Sequence, residues 1–214
     1  MEKEMSEVKS PQEKQSLCFR NLDGLVSCDD GDRVYEHCDL FVEDGRISKI
    51  GKVEQRADVE IDGRDLIVYP GLINTHHHLY QILTRNLPQV QNLELFDWLT
   101  KLYEIWAKLN AQGFFEACRA GMGELIKFGC TTVFDHHYVF PENSGDLLAA
   151  EVEAADLMGI RLVLSRGSMD LSRKDGGLPP DSVVQSLTEI LKDSEALICL
   201  LYTSDAADER SSVD

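Results

Sequence analysis

Short apolar segments separated by polar turns run through the first third of the chain. They are Leu17–Phe19, Gly24–Cys28, Asp39–Val42, Ile47–Ile50 and Val59–Ile61. Asp44-Gly45 lies between the third and fourth segments, and an Asp-Gly step in that position is a strong signal for a β-hairpin. A polar break separates the first two segments. The pattern predicts a small β unit of short strands between Ser16 and Tyr69.

Further along the chain, the apolar period changes from two to about 3.6 residues, which indicates helices. The large apolar side chains between Glu94 and Leu109 fall mostly on one helical face. Helical and strand patterns then alternate: helices over Phe114–Phe128, Leu147–Met158 and Asp181–Lys192, and strands over Cys130–His137, Arg161–Ser165 and from Ala196 onward. Such alternation predicts a parallel sheet or a (β/α) barrel.

Three consecutive histidines follow a short apolar run, Leu72-Ile73. Successive side chains of a strand point to opposite faces, so His76 and His78 share one face while His77 points away and has a structural role. Two imidazoles on one strand face can converge on one metal ion, for example zinc, iron, nickel or copper. The alternative is that these histidines are polar residues at a strand end without a ligand.

A second polar triplet, Asp135-His136-His137, ends the predicted strand that starts at Cys130. This strand is expected to lie beside the histidine-bearing strand, so the geometry permits one of its side chains near the same metal ion. We favour a polar strand end or a contact to the metal ligands, with direct ligation as the alternative. His37 is far from any other ligand type and is interpreted as a surface histidine or one with its hydrogen bonds satisfied.

Composition narrows the classes of partner. The formal net charge is −17, which argues against nucleic acid and anionic membranes as partners. The chain has neither an apolar run of about 18 residues nor an apolar core behind its N-terminus, so we expect a cytoplasmic protein without a membrane span or secretory signal. The six cysteines form no Cys-x-x-Cys pair, which favours buried thiols over disulfides.

The segment Pro70–Gln81 resembles the first barrel strand of the amidohydrolase superfamily, whose members carry P-G-h-h-N-x-H-x-H there, where h is an apolar residue. The longer string from Asn74, with Thr84–Asn86, Leu95–Leu99 and Tyr103–Trp106, is similar to one branch of that superfamily. This branch contains the 8-oxoguanine deaminases and the related triazine aminohydrolases.

The resemblance implies roles for particular residues. His76 and His78 would be two ligands of one divalent metal ion, zinc with iron as the alternative, and Gln81 would contact the heterocyclic substrate rather than only bond within its loop. Trp98 and Trp106 could stack on a planar ring, but their spacing on one helix favours core packing. The acid/base Glu, a metal-bound Asp and two further histidines would come from later barrel strands, so no catalytic residue is assigned within this sequence.

The implied fold class is α/β, the N-terminal part of a (β/α)8 TIM barrel, about four of eight strands, with a small flanking β-sandwich. The expected organisation is a disordered N-terminus at 1–15, the flank at 16–69, the first half of the barrel at 70–198 and a non-native tail at 199–214. A complete barrel takes about 250 residues, and Leu201–Glu209 resembles a translated sequencing adapter. We therefore expect a truncated reading frame, with an unusual natural terminus as the alternative.

The implied activity is metal-dependent hydrolytic deamination of a purine-like heterocycle of the 8-oxoguanine type. The expected partners are a small heterocycle and water, without nucleic acid or membrane, and the full-length protein could form a homo-oligomer. Alternatives are another amidohydrolase, such as a triazine chlorohydrolase or aminohydrolase or an adenosine-type deaminase. A further alternative is an inactive, truncated fragment that binds metal weakly.

Overall fold

A computed structural model of the protein describes residues 15–199. The chain divides into two compact units between Pro70 and Gly71. The predicted disordered N-terminus and non-native tail concern residues 1–14 and 200–214, which lie outside the described residues, together with one described residue each. Within the described range, no helix combines the length and apolar character needed to cross a membrane.

The first unit contains one sheet of five strands in the order β3-β2-β1-β4, with β5 paired to the far half of β1. The strands are β1 (Leu17–Val26), β2 (Val34–Glu43), β3 (Arg46–Gly51), β4 (Val59–Asp62) and β5 (Ile67–Val68). The predicted hairpin at Asp44-Gly45 is confirmed, because β2 and β3 pair antiparallel across it. Both turn residues have positive φ, 52° and 74°, as a tight hairpin turn requires. A two-sheet sandwich stays a prediction.

Strand β1 is continuous where the sequence predicted two segments. Its register with β2 shifts between Phe19 and Leu22, and Asn21 in that gap has a φ of 58°. The Asp39 carboxylate accepts a hydrogen bond from the Asn21 N–H at 2.9 Å and another from the Val53 N–H at 3.1 Å. The polar break is therefore a bulge whose freed backbone group is satisfied by a side chain, so pairing resumes beyond it.

The second unit has a parallel sheet in the order β6-β7-β8 with helices between its strands. The strands are β6 (Leu72–His77), β7 (Cys130–His137) and β8 (Arg161–Arg166), and the helices are α1 (Leu95–Trp106), α2 (Ala111–Lys127), α3 (Leu147–Met158) and α4 (Leu187–Leu197). Short 3-10 segments occupy Leu79–Thr84, Pro88–Val90, Arg173–Asp175 and Asp181–Val183. The predicted α/β alternation is confirmed through β8.

The predicted strand beginning at Ala196 is wrong, because that residue lies in α4. The predicted helix start at Asp181 is also wrong, since Asp181 begins only a 3-10 turn. Ser186 is the actual N-cap: its hydroxyl accepts from the Glu189 N–H, and the Glu189 carboxylate accepts from the Ser186 N–H in return. This capping box starts the helix later than predicted and carries it through the expected strand.

The core of the second unit lies where α1, α2 and α3 cover the sheet. Trp106 is buried as predicted, at 2% exposed, whereas Trp98 is only partly buried and packs against it with ring centroids 5.5 Å apart. At the N-terminal end of the sheet, a Cβ atom on Gly71 would lie 2.2 Å from the Thr131 side chain. Glycine at this position therefore allows the entry to β6 to approach β7 closely.

Candidate functional site

The C-terminal ends of β6 and β7 lie side by side, and each carries one of the two polar triplets. His77 pairs with Asp135, but the register shifts between Asn74 and His77, so β6 holds one more residue than β7 over this interval. An extra residue in one strand re-aims the side chains that follow it. The predicted neighbourhood of the two strand ends is thus present, with a local irregularity at the histidines.

His76 and His78 converge, as their alternate positions predict. Their Nε2 atoms are 3.2 Å apart and their rings meet edge to face at 88°. Zn–N bonds of about 2.0–2.1 Å in a tetrahedral site place two ligand nitrogens about 3.3 Å apart. The spacing of this histidine pair, His76 and His78, therefore fits one shared zinc ion, and their assignment as ligands stays a prediction.

A hydrogen bond to β7 fixes the orientation of the His78 ring. Nδ1 of His78 lies 2.7 Å from the backbone carbonyl oxygen of His136. A carbonyl can only accept, so Nδ1 carries the hydrogen and Nε2 keeps its lone pair for a metal. Burial lowers the pKa of His78, which further favours the neutral, metal-binding form of the imidazole.

His136 borders the histidine pair without supplying a third converging nitrogen. Its ring stacks on the ring of His76, with centroids 4.5 Å apart and an angle of 27° between the planes. Its carbonyl oxygen holds His78. The favoured interpretation of this residue, a polar strand end or a contact to the metal ligands, stays a prediction, and the carbonyl contact to His78 is compatible with it. Within residues 15–199, no group of three or more His, Cys, Asp or Glu side chains is placed to hold a metal ion.

His137 points into the core and is fully buried. Its ring packs against Phe114, Phe140 and Tyr80 at centroid distances of 4.4, 4.7 and 5.4 Å. Burial lowers the pKa of His137 to about 3, so the ring is neutral at pH 7. This residue is a packing element of the core, on the opposite side of β7 from His136.

His77 is half-buried and lines a cavity of about 420 Å³ together with Asn74, Glu124 and Phe128. Burial is the main cause that lowers the pKa of its imidazole. Glu124 in this cavity is held by Arg85, whose two terminal nitrogens lie 3.0 and 2.6 Å from the two carboxylate oxygens. His77 therefore has surroundings different from those of its two neighbours in the triplet.

A larger cavity of about 690 Å³ opens beside the histidine pair. Gln81 lines it, as does the partly buried Trp98. The segment between Gln81 and α1 supplies several further lining residues, which are Ile82, Thr84, Arg85, Asn86, Leu87, Val90, Gln91 and Leu93. The sequence identified Gln81 but assigned Trp98 to the core and gave no role to Arg85, Asn86 or Gln91, because their orientation depends on the 3-10 turns of this loop.

Asp135 is fully buried behind the histidine pair. Its Oδ1 accepts a hydrogen bond from the backbone N–H of Leu79 at 2.7 Å. Glu151 on α3 is also fully buried and lies close enough to Asp135 for a hydrogen bond between the two carboxyl groups to affect both pKa values. The sequence analysis missed Glu151, although a charged residue between apolar positions of α3 was a visible signal.

Comparisons with known proteins place the chain in a family. A profile of the amidohydrolase family matches residues 67–201. The 8-oxoguanine deaminase of Pseudomonas aeruginosa is 45% identical over 163 residues, which cover 74% of this chain and 36% of the deaminase. Hydroxydechloroatrazine ethylaminohydrolase of Pseudomonas sp. (strain ADP) is 36% identical over 188 residues, covering 81% of this chain and 39% of that enzyme.

Solved structures show the same relationship. The atrazine chlorohydrolase of Arthrobacter aurescens TC1, crystallised in complex with zinc, superposes with a TM-score of 0.79 at 31% identity. The match covers 85% of this chain and 42% of the chlorohydrolase. These comparisons confirm the predicted fold class, the N-terminal part of a (β/α)8 barrel, and the resemblance drawn from Pro70–Gln81. The chain spans between 36% and 42% of the length of these relatives.

Proposed function

Since the chain belongs to the amidohydrolase family, we propose that it forms the N-terminal part of a metal-dependent hydrolase that deaminates a purine-like heterocycle of the 8-oxoguanine type. The observation that carries this proposal is the 3.2 Å approach of the Nε2 atoms of His76 and His78. Identity of 45% to an 8-oxoguanine deaminase supports the substrate class.

The donor set of the histidine pair fits zinc. Both ring nitrogens aim at one point, and the Nδ1–H of His78 is engaged with the carbonyl of His136, so its tautomer suits ligation. A bound zinc ion would supply a water molecule with a pKa near neutrality. The role of His76 and His78 is to hold that ion at the C-terminal end of β6, where the active sites of (β/α)8 enzymes lie.

Gln81 is proposed to recognise the heterocycle. It lines the same 690 Å³ cavity as the histidine pair, on the 3-10 segment that directly follows His78. An amide offers both a donor and an acceptor, which matches the edge of a purine or triazine ring with alternating C=O, N–H and ring nitrogen groups. The partly buried Trp98 provides an apolar surface in the same cavity on which a planar ring can stack.

A second candidate substrate class is the triazines. The observation that favours it is the TM-score of 0.79 to an atrazine chlorohydrolase over 85% of this chain. A triazine and a purine both present a planar ring to the same cavity, so the two candidates differ in the groups that Gln81 and the remaining lining residues must bind. A third candidate is that the 214-residue chain only binds metal weakly, which is supported by the pair of ligands, rather than three, within residues 15–199.

The deciding experiment measures zinc content and ammonia release from 8-oxoguanine and from an amino-substituted triazine. Both assays are made on the 214-residue chain and on a chain extended to the length of its relatives. We expect zinc binding that depends on His76 and His78, and ammonia release from 8-oxoguanine by the extended chain. Faster turnover of the triazine would move the assignment to the second candidate, and absence of turnover in the zinc-loaded extended chain would overturn the proposal.

A further inference from the structure

Two carboxyl groups, those of Asp135 on β7 and Glu151 on α3, lie together in the core of the second unit, and we call them the carboxyl pair. Both residues are 0% exposed. The Leu79 N–H reaches one of their four oxygens, Asp135 Oδ1, at 2.7 Å. The other three oxygens are buried and accept no hydrogen bond from an N–H or hydroxyl group of residues 15–199. Burial of carboxyl oxygens without hydrogen bonds would lower the stability of the fold unless a proton lies between the two groups.

The surroundings indicate which group holds that proton. Burial raises the pKa of both carboxyl groups, and the adjacent Asp135 raises the pKa of Glu151 further, whereas the Leu79 N–H works in the opposite direction at Asp135. Two charged carboxylates within hydrogen-bonding reach of each other in an apolar core would repel strongly. Because Asp135 already accepts from the Leu79 N–H, we assign the proton to Glu151, which then donates to Asp135. The titratable neighbour from α2 is the buried thiol of Cys118, whose own pKa is raised by burial and by both acids.

Asp135 and the following residue of β7 hold the two residues that come directly after β6. The Asp135 side chain binds the N–H of Leu79, and the carbonyl of His136 binds the ring of His78. Leu79 is itself fully buried, and its Cδ2 is 2.7 Å from where a Cβ atom on Gly121 would lie. The backbone immediately after His78 is thus fixed from β7 on one side and from α2 on the other.

We propose that the carboxyl pair is a positioning device, in which a proton shared between Glu151 and Asp135 keeps Asp135 on the Leu79 N–H and thereby sets the orientation of His78 for metal binding. The metal-binding part of this inference depends on the proposed function. The device needs a hydrogen-bond donor at residue 151 and not a charge. A purely packing role for Glu151 would instead be served equally well by an apolar side chain of similar size.

The test compares E151Q, which keeps a donor toward Asp135, with E151L, which fills the same space without one. Exposed Glu153 on the same helix supplies the control, E153L. Two quantities are measured on the full chain: hydrogen exchange of the Leu79 amide by NMR, and zinc affinity by competition with a chromophoric chelator. We expect the Leu79 amide of E151L to exchange faster and the variant to bind zinc about 10-fold more weakly. This factor is the lower end of the loss in metal affinity on mutation of a residue that supports a metal ligand.

E151Q and E153L are expected to keep the exchange rate of the Leu79 amide and the zinc affinity within about threefold of the parent chain, which is less than the 10-fold loss expected for E151L. Unchanged exchange and zinc affinity in a folded E151L would overturn the proposal. Should E151L fail to fold, the double variant D135N/E151Q decides, because two amides can make both hydrogen bonds without a shared proton. A 10-fold loss of zinc affinity in the folded double variant would also overturn it. Absence of zinc binding by the parent chain would count against the proposed function, and the exchange of Leu79 would then decide on the carboxyl pair alone.

Discussion

The ends of β6 and β7 carry similar triplets, yet the protein uses them in opposite ways. At the end of β6, His76 and His78 turn their ring nitrogens toward each other beside an open cavity. At the end of β7, Asp135 and His137 are fully buried, and the ring of His136 stacks on the ring of His76. One triplet turns two ring nitrogens toward each other, and the other packs against it and into the core.

The comparison shows that residue type alone does not assign a role to a histidine at a strand end. His78 and His137 both have a pKa lowered mainly by burial. The difference lies in the surroundings of the two rings: Nε2 of His78 is close to a second imidazole nitrogen, whereas the His137 ring packs against the rings of Phe114 and Phe140. A neutral imidazole with an accessible lone pair is able to bind a metal ion, whereas a neutral imidazole packed among aromatic rings serves as a core side chain.

The largest effect is expected from removing one member of the histidine pair. H78A should lower zinc affinity by more than about 100-fold, because one of two converging nitrogens is lost. This loss exceeds the one expected on mutation of a residue that only supports a metal ligand. H136A is the matched control, since it removes a ring at the same site but keeps the backbone carbonyl. Titration of zinc against a competing chelator measures both variants. Equal losses in the two variants would break the distinction between the two strand ends.

The close approach of β6 and β7 is tested next, through G71A. The new Cβ would lie 2.2 Å from the Thr131 side chain, so one strand has to shift, at a cost of about 1–3 kcal/mol of unfolding free energy. Chemical denaturation measures the cost. G123A on α2 serves as the control, because its Cβ meets only the end of the flexible Met158 side chain at 3.3 Å. An equal loss in G123A would show that the strand approach is not the cause.

The buried end of β7 predicts a pH effect on stability. The pKa of His137 falls to about 3 in the folded protein, against about 6.5 when unfolded. Between these values the unfolded chain binds more protons, so this residue makes stability decrease as the pH falls from about 6.5 toward 3. In H137F this contribution is absent, while other groups act in both proteins.

As the pH is lowered, the free energy of unfolding of H137F should therefore rise relative to that of the parent chain. The expected gain is about 2 kcal/mol at pH 5 relative to pH 7, from roughly 1.4 kcal/mol per pH unit. Denaturation curves at several pH values provide the measurement. Parallel stability profiles for the two proteins would mean that His137 titrates in the folded state much as it does in the unfolded chain.

The smallest effect is expected at Gln81, on the cavity side of the β6 end. Loss of one neutral hydrogen bond to the heterocycle costs about 1 kcal/mol, so Q81A should lower kcat/KM by roughly fivefold in the extended, active chain. The exposed Gln112 on α2 is the control for loss of an amide. Steady-state ammonia release measures both variants. An unchanged kcat/KM in Q81A would remove Gln81 from the substrate site.

The elements that the sequence predicted well are those with a strong local signal. Helix α3 begins and ends where its apolar period does, and its end coincides with Gly159, whose φ is 70°. The capping box of α4 at Ser186 was equally local, but the Pro-Asp step at residues 180–181 offered an earlier start that competes with it. The wrong helix start then left Ala196 free to be interpreted as a strand.

The histidine pair was predictable because strand alternation is a local property. The contacts that hold the pair in place were not predictable from the sequence. The bond from His78 to the His136 carbonyl joins residues 58 positions apart. The carboxyl pair likewise depends on tertiary structure, because Glu151 lies on α3 and Asp135 on β7. A polar residue at a strand end indicates exposure as readily as burial, so the sequence left the roles of Asp135 and His137 open.

The extra residue of β6 between Asn74 and His77 makes the site sensitive to the length of the chain at this point. Deleting Thr75 would remove this irregularity, because Asn74 and His77 would then be two positions apart, as their partners Val133 and Asp135 are. His77 would keep its partner, and His76 would be the one residue left between the two paired positions. An in-frame deletion of this single codon would therefore shorten the backbone that carries the first ring of the histidine pair while it leaves both histidines in the sequence.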